Sequence, residues 1–186
     1  RLGDAEGGRA GPVWAVWCRK HGDTSVGRLS PSGTVTNYTG AGIGQPEGIA
    51  AGPDGALWFT NHANNSIGRI STSGAVTNYA GVGIDEPEGI AAGPDAALWF
   101  TNPANNSIGR ISTSGAVTNY TGTGVSPPIG IAAGAVAKLW VDTDVTQSIG
   151  AITTAGRVER YTETGRTPWY EAADGAGWRV GQHRRR

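Results

Sequence analysis

Three glutamates, Glu6, Glu47 and Glu88, stand 41 residues apart, and each precedes a glycine. Carboxylates that converge from neighbouring repeats suit a hard cation such as magnesium or calcium, which takes oxygen ligands. Two histidines, His21 and His62, share the same 41-residue spacing. Imidazole exchanges its proton near neutral pH, so a histidine beside carboxylates can act as a general base. The plainer alternatives are a solvated ring of glutamates, glutamates accepting bonds from turn amides, and histidines in water. His183 falls in the terminal tail and joins neither set.

The element that must carry these residues is a repeat. Trp17, Trp58, Trp99 and Trp140 recur every 41 residues, as do Gly27, Gly68, Gly109 and Gly150. Four-stranded units of about 40–45 residues are the signature of propeller blades. The central copies, 46–86 and 87–127, are nearly identical, so each sits in nearly the same surroundings. The second copy predicts strands at 47–51 (EGIAA), 56–60 (ALWFT), 66–71 (SIGRIS) and 75–79 (AVTNY). Between them stand the turn residues Gly52-Pro53-Asp54-Gly55, a polar loop at 61–65, and Thr72-Ser73-Gly74. No segment has helical periodicity. The expected architecture is all-β: one β-propeller domain over 1–186, with blades at 5–45, 46–86, 87–127 and 128–167 and a partial blade at 168–186.

A hairpin returns the end of a blade's second strand beside the start of its first. The glutamates and the histidines should therefore share one face near the central channel, where ligands bind. The Leu-Trp or Val-Trp pair of strand two should pack between blades as core. Arg28, Arg69 and Arg110, each after the strand-three glycine, should lie over a neighbour or pair with an acidic loop residue. Asn64-Asn65-Ser66 and Asn105-Asn106-Ser107 fit a glycosylation pattern, but they also suit turn asparagines in left-handed backbone.

Composition narrows the function. Fifteen basic and 15 acidic residues balance to zero, which leaves no basic field for nucleic acid. No apolar run approaches the roughly 20 residues of a membrane span. The single cysteine, Cys18, reads as a buried thiol beside Trp17. No signal peptide is visible in the first dozen residues, and the absence of methionine suggests a fragment or a processed chain. Four blades and a remnant that do not close would leave edges open to self-association.

The phrase 48–60 (GIAAGPDGALWFT) with 66–70 (SIGRI) resembles the repeat of the virginiamycin B (streptogramin B) lyases. It recurs at 89–101 with 107–111, and more weakly at 7–17 with 25–29 and 130–140 with 148–152. The resemblance implies a seven-bladed parent that uses magnesium to open cyclic depsipeptide antibiotics at the ester, by elimination rather than hydrolysis. It favours a cytoplasmic location. In that family a histidine precedes the Gly-Ile of strand one and a glutamate follows Trp-Phe-Thr.

Here the first position holds Glu6, Glu47, Glu88 and Ile129, and the second Lys20, Asn61, Asn102 and Thr143. Glu47, Glu88 and His62 are accordingly the candidate catalytic residues. Glu6, Glu47 and Glu88 are the candidate ligands for Mg2+. The competing readings are a non-catalytic propeller that binds a ligand or protein, and a metal-dependent lactonase-like propeller.

Overall fold

The computed structural model describes residues 5–10, 15–20, 24–40, 42–122, 126–135, 137–143 and 148–161, with backbone alone at 5–10 and 19. Among the described residues, sixteen strands form four separate antiparallel sheets, each of four strands in chain order. The first sheet comprises β1 (Ala5–Ala10), β2 (Val16–Lys20), β3 (Ser25–Leu29) and β4 (Val35–Tyr38). The second comprises β5 (Pro46–Ala51), β6 (Leu57–Asn61), β7 (Ser66–Ile70) and β8 (Val76–Ala80). The third comprises β9 (Ile90–Ala92), β10 (Leu98–Asn102), β11 (Ser107–Ile111) and β12 (Val117–Thr121). The fourth comprises β13 (Pro128–Ala133), β14 (Lys138–Thr143), β15 (Ser148–Thr153) and β16 (Val158–Tyr161). The innermost strands lie side by side, β1 against β5, β5 against β9 and β9 against β13. This is a β-propeller. The segment 168–186 lies outside the described residues.

The core sits between blades, because side chains alternate along strand two. Trp58 points toward the third blade, packing with Ile90, Leu98 and Phe100. Its neighbours Leu57 and Phe59 point the other way, toward Trp17 and Val26 of the first blade. Trp99 repeats the pattern against Leu139, Val141 and Ile152. Trp17, Trp58 and Trp99 are fully buried, and each stacks on the tyrosine of its own outer strand at 5.3–5.5 Å between ring centres. No face of these indoles is left for a ligand. The repeated glycine of strand three is a packing requirement: a Cβ at Gly68 or Gly109 would overlap the ring of Phe59 or Phe100.

Two of the recurring arginines, Arg69 and Arg110, pair with an acidic turn residue as expected. Arg69 lies over Trp58, and its Nε donates to Asp54 at 2.7 Å, while Trp58 Nε1 donates to the other oxygen of Asp54 at 2.9 Å. Arg110, Trp99 and Asp95 repeat the arrangement. Burial alone would raise the Asp54 carboxyl, but the bonds from Trp58 and Arg69 outweigh it and hold the group below its ordinary range. The first blade lacks this aspartate in sequence, Val13 standing in its place; there Arg28 lies over Trp17, and Trp17 Nε1 and Arg28 Nε are buried with no hydrogen-bond partner among the described residues.

The strand boundaries differ by about a residue from the expected ones. Ala56 stays in the turn, where its N–H donates to Asp54, and Asn61 joins β6 because it pairs with Ser66. The expected loop at 61–65 contains a short 3-10 turn, His62–Asn64, which ends at Asn65 in the left-handed region at φ 50°. Asn106 matches at φ 55°, and Ser66 is buried with its hydroxyl on Asn64. No helix among the described residues is long and apolar enough to cross a membrane.

Candidate functional site

Glu47 sits in a local break of the sheet, and Glu88 just ahead of its blade's inner strand. In β5 the pairing runs Pro46↔Asn61 and then Ile49↔Phe59, so Glu47 and Gly48 form an irregular step opposite Thr60. β1 shows the same shift between Glu6 and Arg9, and β13 between Pro128 and Ile131. In the third blade Glu88 and Gly89 precede β9 and bond to Thr101, through Glu88 N–H to its carbonyl at 3.1 Å and Thr101 N–H to the Gly89 carbonyl at 3.0 Å. Bulges of this kind interrupt the ladder and re-aim side chains, and they are common beside active sites.

His62, Glu47, Asp142 and Glu86 all lie near enough to Glu88 to act on its charge. Burial raises the Glu88 carboxyl above its ordinary range. The charge of His62 offsets part of that rise, and Glu47, Asp142 and Glu86 add to it. Three blades thus contribute titratable groups around one half-buried carboxylate. His62 opens the 3-10 turn after β6, and its backbone N–H donates to the Gln45 carbonyl at 3.1 Å. Its ring Nδ1 is buried and has no hydrogen-bond partner among the described residues. An orphaned buried ring nitrogen is an exception to the usual satisfaction of buried polar groups. The side chain of Glu6 and the whole of His21 lie outside the described residues.

Asp142 is the member that sequence reasoning passed over. Its signal was available: it stands 41 residues after Thr101 and 82 after Thr60, a carboxylate in a threonine's slot. The other family position, after Trp-Phe-Thr, has a different role here. Asn61 and Asn102 are completely buried. Asn61 accepts from Gly44 N–H at 3.0 Å and donates to the Gly42 carbonyl at 2.8 Å, to Ser66 and to Asn78. Asn102 accepts from Asp85 N–H at 3.1 Å and donates to the Gly83 carbonyl and Ser107. Both asparagines are fully used in fastening the incoming loop to the blade. Lys20 and Thr143, at the equivalent places, are also buried.

Among the described residues, no three His, Cys, Asp or Glu side chains are arranged to hold a metal ion. The described residues therefore do not by themselves fit magnesium.

Fold and site together define a β-propeller with carboxylates at and beside its inner strands. The chain belongs to the virginiamycin B lyase family, whose profile matches residues 8–177. It is 34% identical to virginiamycin B lyase from Staphylococcus aureus, with a TM-score of 0.81 over 87% of this chain and 56% of that one. A catalytically inactive variant of a Staphylococcus aureus virginiamycin B lyase, solved with quinupristin, gives 35% identity and a TM-score of 0.79, covering 84% and 55%. A streptogramin B lyase structure gives 33% and 0.81, covering 87% and 55%. The chain thus spans little more than half the length of these structures. No curated protein sequence matches it.

Proposed function

We propose that this chain acts on cyclic depsipeptides of the streptogramin B type, opening the ring at its ester by elimination. The observation that carries the reading is Glu88, a half-buried carboxylate with a raised pKa, set between His62 and the carboxylates of Glu47 and Asp142. Perturbed groups gathered on one face are what proton-transfer chemistry needs.

In the proposed reaction His62 accepts the proton from the carbon alpha to a carbonyl. The C–H pair becomes a C=C bond, the neighbouring C–O bond breaks, and the ester oxygens leave as a carboxylate. The proton passes through solvent to the carboxylate and no water is added, so the linear acid has the mass of the cyclic substrate. Glu88 and Glu47 stabilise the imidazolium that forms, through charge. A cytoplasmic location goes with this reading.

The test is incubation of the chain with a group B streptogramin, with and without magnesium, followed by mass spectrometry. A linear product of unchanged mass is expected. A product heavier by one water would replace elimination with lactonase-type hydrolysis. Binding with no product would replace it with a non-catalytic propeller.

A further inference from the structure

We propose that Thr60 is a positioning residue for Glu88, its hydroxyl locking the inner strands of two blades so that Glu47 and Glu88 keep a fixed separation. The inference rests on the functional reading above only in what the separation serves.

The Thr60 hydroxyl accepts the Gly48 N–H at 2.7 Å and donates to the Glu88 carbonyl at 2.6 Å. It is completely buried and joins the peptide that follows Glu47 to the peptide that follows Glu88. Thr101 does the same one blade on: it accepts the Gly89 N–H at 2.8 Å and donates to the Ile129 carbonyl at 2.7 Å. The Glu88–Gly89 peptide is therefore held at both ends, its carbonyl by Thr60 and its N–H by Thr101. A peptide so held cannot rotate to re-aim the side chain on it.

The glycine after each glutamate belongs to the same device. A Cβ at Gly48 would overlap the Glu88 carbonyl, and one at Gly89 would come within 2.6 Å of the Ile129 carbonyl. Glycine allows the blades to approach, and threonine then supplies the one group that satisfies both backbones. In the fourth blade Asp142 accepts the Gly130 N–H instead. An ionised carboxylate accepts but has no proton to pass to a following blade, so the series of hydroxyl bridges ends there and a charge enters the site.

The experiment compares Thr60→Val, which keeps the shape and removes both bonds, with Thr60→Ser, which keeps the hydroxyl, in the 186-residue chain. The Glu47 and Glu88 side chains are followed by NMR at one fixed pH. Thr60→Val is expected to shift and broaden the Glu88 side-chain signals, and Thr60→Ser to leave them in place. With a group B streptogramin, Thr60→Val is expected to lower kcat roughly tenfold to a hundredfold at little-changed KM, with Thr60→Ser restoring most of the loss.

A merely structural threonine would change thermal stability and leave the Glu88 side-chain signals and kcat alone. A folded Thr60→Val chain with both unchanged overturns the proposal. If the starting chain shows no turnover but the Glu88 side-chain signals move, the positioning stands and the lyase reading falls. Should Thr60→Val fail to fold, Thr101→Val removes the hold on the N–H side and carries the same expectations.

Discussion

Glu88 makes the fold less stable at neutral pH than a neutral residue there would. Burial disfavours its ionised form most; His62 offsets part of this, and Glu47, Asp142 and Glu86 add to it. A carboxyl raised in the folded state contributes stability below its unfolded pKa and loses it as pH rises through the folded value. Glu88→Gln is therefore expected to raise the melting temperature at pH 7, by roughly 1–2 °C since the group is half-exposed and screened. At pH 3.5, where both states carry the proton, the gain should vanish. Equal gains at the two pH values would show that the effect is not one of ionisation. Glu47 and Glu88 stand out in the sequence because the 41-residue period pairs them, and His62 because it pairs with His21. Asp142 does not, because the same period shows its carboxylate once, in a column with Arg19, Thr60 and Thr101. The orphaned Nδ1 of His62 depends on packing that no local pattern encodes.

Elements were easier to read than their fastenings. Strand residues follow from alternation and turn chemistry, and they missed the observed bounds by about a residue. The polar clamp around Asn61 was invisible, since its partners lie 17 to 19 residues away, at Gly42, Gly44 and Asn78. The identical segments 46–51 and 87–92 still give inner strands of different length, Pro46–Ala51 and Ile90–Ala92, because pairing at the bulge differs between blades. The strand-three glycine tests the packing at this scale. Gly109→Ala places a methyl group in the Phe100 ring, and overpacking of this kind costs about 1–3 kcal/mol. Urea unfolding should show that loss, and Phe100→Leu in the same chain should recover part of it through coupling between the two sites. Additive losses in the double mutant would mean that the two side chains do not compete for the space.

At the scale of the molecule, the repeat is both the fold and the site. Each core among the described residues is shared by two blades, so Trp17, Trp58 and Trp99 are each buried with the help of the next blade. The same inter-blade contact brings groups from three blades around Glu88. The four sheets of the described residues were legible from the tryptophan period. The depth at which the family's second site position is buried was not, because Asn61 and Asn102 look like ordinary loop asparagines until the incoming loops are in place.

The claim that the inner-strand face is the ligand site is tested most directly by binding. A group B streptogramin added to the isotope-labelled chain should perturb the NMR signals of Glu47, Glu88, His62 and Asp142 together, saturably and at lower ligand concentration than any other group. Perturbation confined to the outer strands, or none at concentrations that saturate an active lyase, would contradict the account.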